Sequence, residues 1–308
     1  MARLTFRAEG VIPATLLAFN EDFSINEQET RRHLRHVGAT RGISALTVNG
    51  HASEVHACAF DEQERLLAIA AEELGDRLPL VSGIYADGSH EAARIARMAD
   101  RNGASAVLVL PPHTLGMGCG QRRPEMALAH FKTIAAATDL PIILFQYTGE
   151  LAYPLPTLLR LFEEVPSIVA IKDWSDPQRH ERHIRLFRDL PRKVNVLTTN
   201  SSWLLSSLVA GADGLLSGAG SVIADLQVAL FEAIGSKDLA GAQALAQRIW
   251  HTSEVFYADP FGDMHNRMKE ALVMLGRQSK AVVRPPLMKL DAEEIGRIRS
   301  ALVAAGLL

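Results

Sequence analysis

Two cysteines, Cys58 and Cys119, are all that the 308 residues contain. A disulfide scaffold or a cysteine-only zinc site needs more, so the expected setting is reducing and cytoplasmic. No run approaches the roughly 18 apolar residues of a membrane span. The first ten residues carry charges where a signal peptide is apolar. An excess of basic charge is also lacking. Against 32 Lys and Arg stand 35 Asp and Glu, a net charge of −3. Neither the basic stripe of a nucleic-acid binder nor a like-charge interaction tail is present. The glycine-rich dinucleotide fingerprint is missing too, because Ala18-Phe19-Asn20-Glu21-Asp22 follows the first apolar run.

What the chain does have is a regular alternation. Short apolar runs occupy Val11–Leu17, Ile43–Val48, Leu78–Ile84, Ala104–Leu110, Pro141–Tyr147, Ser167–Lys172, Val194–Thr199 and Ala212–Leu216. Helical patterns separate them, at the spacing of one β/α unit. Several runs are apolar on both faces, as parallel strands covered by helices must be. The pattern predicts an α/β protein built as a (β/α)8 TIM barrel. Helix starts are expected at Asn26 with Glu29, at Asp61 with Glu64 and at Asp291 with Glu294, each at capping-box spacing. Asn102-Gly103 reads as a helix end. After Leu216 only helices follow, over Ala224–Ile234, Leu239–Tyr257, Met264–Leu275 and Ala292–Ala305, with Arg284-Pro285-Pro286 as a rigid linker. The expected organisation is a barrel over residues 1–235 and a C-terminal helical extension over 236–308.

The chemistry of such a barrel lies at the carboxyl ends of its strands. Lys172 ends the sixth run. It either reaches into the barrel mouth, where desolvation frees its lone pair for attack on a carbonyl, or snorkels to solvent or pairs with Asp173. Asn49-Gly50-His51-Ala52-Ser53-Glu54 after the second run can present N–H groups to a carboxylate. Ser217-Gly218-Ala219-Gly220-Ser221 after the eighth can do the same, or serve only as a tight turn.

These residues resemble the dihydrodipicolinate synthase / N-acetylneuraminate lyase family. The likeness runs from Val11-Ile12-Pro13-Ala14-Thr15 to Arg267-Met268-Lys269-Glu270-Ala271-Leu272. Gly50–Glu54 stands for the family's Gly-Thr-Thr-Gly-Glu loop. Ser82-Gly83, Leu144-Phe145-Gln146-Tyr147 and Ile171-Lys172-Asp173 are further landmarks. The resemblance implies a homotetramer or dimer, a lysine imine with pyruvate or another 2-oxo acid, and no metal or organic cofactor. It puts the imine on Lys172.

This chain also departs from the family. Phe145 replaces a proton-shuttling tyrosine, and His51 and Ala52 replace two threonines. His113 corresponds to a further tyrosine, and Glu150 stands near the synthase's substrate-binding arginine. His51 and Tyr147 are therefore the expected proton carriers. Gly50, Ala52, Ser53, Phe145, His113, Ser217 and Gly218 are the expected substrate contacts. The reading is an imine-forming lyase, aldolase or synthase that is not a true dihydrodipicolinate synthase. The alternatives are a sugar-acid dehydratase or aldolase, a small-acid binder without turnover, and a metal-dependent aldolase. His180 and His183, among Arg179, Arg182 and Arg185, read as a solvated helix face, and Cys58 as a buried thiol.

Overall fold

The computed structural model describes residues 3–308. Eight strands form one parallel sheet: β1 Gly10–Pro13, β2 Leu46–Val48, β3 Leu80–Ile84, β4 Ala106–Val109, β5 Ile142–Gln146, β6 Ile168–Asp173, β7 Asn195–Thr198 and β8 Gly214–Ser217. From β2 to β8 the strands pair in chain order, and β8 pairs with β1. Bridges between Val11 and Ile43 and between Ala14 and Thr47 join β1 to the chain around β2, closing a TIM barrel. Every expected strand is present, but β1 ends early. Pro13 has no N–H, and the N–H of Leu16 goes to the Ser221 hydroxyl rather than to the ladder.

Eight helices surround the strands: α1 Glu27–Gly38, α2 Phe60–Leu74, α3 Ser89–Arg101, α4 Pro124–Ala135, α5 Leu155–Glu164, α6 Pro177–Arg188, α7 Leu204–Ala210 and α8 Gly220–Gly235. Asn26 and Asp291 cap their helices through the N–H groups of Glu29 and Glu294. The cap expected at Asp61 does not form. Helix α2 starts one residue earlier, at Phe60, and the Glu62 carboxylate accepts from the N–H of Ala59 instead. Gly103 is left-handed, as the end of α3 requires.

Beyond α8 come α9 Leu239–Phe256, α10 Met264–Met274 and α11 Ala292–Ala304. Their Ile249, Phe256, Met268, Leu272, Ile298 and Leu302 belong to one continuous apolar core with the barrel. Among the described residues no helix is long and apolar enough to cross a membrane.

Two features hold the loop after β2. Gly83 lies directly beneath it, and a Cβ there would sit 1.9 Å from the Asn49 carbonyl oxygen, so only glycine fits. Farther along, the Glu54 carboxylate accepts a hydrogen bond from the Lys269 ammonium of α10, and both side chains are fully buried. The N–H of Arg284 donates to the other Glu54 oxygen at 3.1 Å, and Lys269 also donates to the Val282 carbonyl at 2.7 Å. This fully partnered pair fastens the extension to the rim of the barrel. Removing one member strands the other charge in an apolar medium. Lys269→Met should therefore cost about 3–5 kcal/mol in urea unfolding. Glu54→Gln/Lys269→Met, which leaves no lone charge, should recover much of that loss.

Candidate active site

Lys172 is the fifth residue of β6, in register with Phe145 of β5 and Leu197 of β7. Register partners on parallel strands face the same way, so Lys172 and Phe145 share the barrel mouth. The Lys172 Nζ lies 4.0 Å from the centre of the Phe145 ring. The residue is only 6% exposed. Among the described residues its amine has neither a hydrogen-bond acceptor nor a carboxylate partner within salt-bridge distance. Burial alone lowers its pKa to about 7.

Asp173 does not pair with it. Successive strand residues point to opposite faces, so Asp173 turns outward toward α6. There its Oδ2 accepts from His180 Nδ1 at 2.9 Å and His183 Nδ1 at 2.8 Å. Its Oδ1 accepts from the Ser175 N–H. Burial opposes its charge, but the two imidazoles outweigh that and hold the carboxyl below its ordinary pKa. The expectation of a solvated face is thus corrected: His180 and His183 are buried. With Ile184 and Phe187 they occupy the inward stripe at i, i+3, i+4 and i+7, a periodicity masked by the intervening arginines.

The loop after β2 brings His51 to the same mouth in a single turn, His51–Ser53. The Tyr147 hydroxyl lies 2.7 Å from His51 Nε2 and 3.1 Å from Nδ1. Burial, reinforced by the nearby Lys172 charge, pushes His51 down to about 3, so its imidazole is neutral. Burial raises the Tyr147 hydroxyl above its ordinary pKa, so it stays protonated.

These groups border a cavity of about 200 Å³. Of the expected residues, Gly50, His51, Ala52, Phe145, Lys172 and Gly218 line it. Tyr147 stands behind His51 rather than on the wall. Three expected contacts are not brought to the cavity. Ser53 is buried with its hydroxyl donating to the Thr15 carbonyl at 2.8 Å. His113 is exposed, its N–H on the Asp87 carboxylate and its ring edge-on to Tyr85. Ser217 is buried against the hydroxyls of Ser201 and Tyr257. The N–H of Ala219 is also spent, on the Tyr257 hydroxyl, which weakens the idea of an anion cradle after β8.

Sequence reasoning missed most of the far wall. Thr199, Asn200, Ser201 and Ser202 come from the loop after β7, and Trp174 from the end of β6. Tyr257, Phe261, Met264 and His265 come from the extension. Trp174 stacks on Phe261 with centroids 4.7 Å apart and planes 22° apart. His265 is buried with no hydrogen-bond partner among the described residues. Burial, reinforced by the neighbouring His51 and Lys172, lowers it well below its ordinary pKa. One signal was available: α10 is buried from His265 through Leu272 although His, Asn, Arg, Lys and Glu fill its first half. A polar helix with no solvated face has work for those groups inside. Cys58 is half-buried, and burial pushes its thiol up to about 12, so it is not a thiolate nucleophile.

The model of the dihydrodipicolinate synthetase family matches residues 7–305. The chain belongs to that family. Similar family members include the 4-hydroxy-tetrahydrodipicolinate synthase of Methanoculleus marisnigri, 28% identical over 97% of this chain and 99% of the relative. That of Kineococcus radiotolerans is 29% identical over 86% and 83%. Among solved family structures, the prophage protein YagE of E. coli K12, in complex with pyruvate, superposes with a TM-score of 0.89. It is 21% identical, covering 98% of this chain and 99% of that one. The synthase of Methylacidiphilum fumariolicum gives 0.86 at 23% identity, covering 97% and 96%.

The unpaired amine has a measurable consequence. An unfolded lysine stays protonated to about pH 10.4, whereas Lys172 in the fold loses its proton near 7. Between those values the unfolded chain binds the extra proton, so this group makes stability rise with pH. Lys172→Met should stabilise the protein most at pH 7 and below. The advantage should shrink to nothing by about pH 10, as read from denaturation midpoints across that range.

Proposed function

We propose that this family member is a lyase or aldol-type synthase that forms a Schiff base between Lys172 and pyruvate or another 2-oxo acid. The observation that carries the reading is the Lys172 amine itself, which is buried, unpaired and at the mouth of the barrel. A neutral amine attacks the C2 carbonyl, forming the N–C bond while the carbonyl electron pair goes to oxygen, which takes a proton. Loss of water leaves the protonated imine. That cation draws electrons from C3, so a proton or a carbon fragment can leave and an enamine results.

Protons must move at each stage. His51 is neutral and faces the cavity, so one ring nitrogen can accept while the other donates. Tyr147, hydrogen-bonded behind it, fixes the ring and extends the relay. Phe145 transfers no proton, and its ring desolvates the amine.

The wall supports a divergent substrate. Lys172 is the only lysine on it, no arginine lines it, and Glu150 is exposed elsewhere. An acceptor aldehyde bearing its own carboxylate would find no cation, which argues against true dihydrodipicolinate synthase chemistry. Thr199, Asn200 and Ser202 offer neutral polar groups instead and favour, as a second reading, a hydroxylated acid undergoing dehydration or aldol cleavage.

Incubation with pyruvate and a panel of sugar-derived 2-oxo acids, followed by borohydride, should leave a reduced adduct on the Lys172 peptide and none in Lys172→Ala. A folded wild type that traps no member of the panel would refute the imine. Once a turnover substrate is found, His51→Ala should lower kcat by about 10²–10⁴-fold while adducts still form. Tyr147→Phe should have a smaller effect in the same direction.

A further inference from the structure

We propose that His265, brought in by α10, binds the carboxylate of the 2-oxo acid. The inference rests on the imine reading at Lys172.

A 2-oxo acid joined to Lys172 carries its carboxylate on the carbon next to the imine. The anion must then be met by a donor on the cavity wall, because a buried carboxylate left unpaired is costly. No arginine and no second lysine line this wall. Two imidazoles do, and they differ. His51 is occupied by the Tyr147 hydroxyl. His265 is 6% exposed and lines the cavity, and neither ring nitrogen has a hydrogen-bond partner among the described residues.

The surroundings of His265 are shaped to leave it free. A Cβ built on Gly218 would lie 3.3 Å from His265 Nε2 and 3.7 Å from the Ala52 Cβ. Gly218, Ala52 and His265 therefore meet at one corner of the cavity, where two minimal residues make room for an imidazole. Neither small side chain can donate a hydrogen bond, so of these three residues only His265 offers a side-chain donor.

The corner is also held rigidly. His265 and Lys269 are four residues apart on α10 and so lie on one face of the helix. Lys269 is tied to Glu54, two residues beyond Ala52 in the loop after β2. The buried ion pair thus fixes the imidazole relative to the loop it faces. An incoming carboxylate accepts from the ring N–H and favours the imidazolium, strengthening the contact.

The test is the concentration dependence of borohydride trapping with pyruvate and with its uncharged amide, pyruvamide. His265→Ala should raise the pyruvate concentration for half-maximal trapping by about tenfold or more and leave the pyruvamide curve in place. His265→Gln, which keeps an N–H donor, should retain part of the preference for pyruvate. Ala52→Thr added to His265→Ala should restore part of it by placing a hydroxyl at the same corner. An unchanged pyruvate curve in His265→Ala would overturn the proposal. Equal weakening toward pyruvate and pyruvamide would also overturn it, since that marks a purely structural role. A wild type that traps no 2-oxo acid of the panel defeats the imine reading itself, and this inference with it; where another member is trapped in place of pyruvate, that acid and its amide supply the same two curves.

Discussion

Keeping the Lys172 amine buried without a counter-ion is costly, and several parts of the structure are arranged so that nothing relieves that cost. The nearest carboxylate in sequence, Asp173, could quench the amine if both side chains shared a face. Strand alternation sends it outward, and the imidazoles of His180 and His183 saturate it there. On the inner side, Phe145 gives the amine an aromatic face rather than an acceptor. The amine stays unpaired because its alternatives have been removed.

The same logic governs the two cavity imidazoles. Both are kept neutral by burial and by the lysine they flank, so neither competes with it for a proton at neutral pH. A neutral imidazole both accepts and donates, which the Phe145 ring beside the amine cannot do. His51 has a phenol behind it and His265 has none. That difference separates a group suited to relaying protons from one suited to meeting an anion.

The extension completes the site rather than decorating it. Tyr257, Phe261, Met264 and His265 form one wall, and the Glu54–Lys269 pair fastens that wall to the loop carrying His51. Such a pair contributes little net stability over an apolar substitute. What it provides is register between two segments more than 200 residues apart in the chain. The proposed chemistry tolerates only displacements well under an ångström, so register of this kind matters more than energy.

Local pattern alone was enough to read the alternation of strands and helices, and with it the barrel, because burial on both faces leaves apolar runs that need no long-range information. The position of Lys172 at a strand end was legible for the same reason, and the matching order of landmarks pointed to His51 and Tyr147 as candidates. The roles of Ser53, His113 and Ser217 were not legible. Whether a polar side chain faces a cavity or a backbone carbonyl depends on which neighbour arrives, and Thr15, Asp87 and Tyr257 arrive from elsewhere in the chain. The buried triad of Asp173, His180 and His183 was obscured because arginines between the histidines suggested solvent. The sequence by itself determined a closed barrel with an amine at its mouth. Only the tertiary structure decided which imidazoles stand beside that amine, because side chains from β2, β5 and α10 come together only when the chain closes on itself.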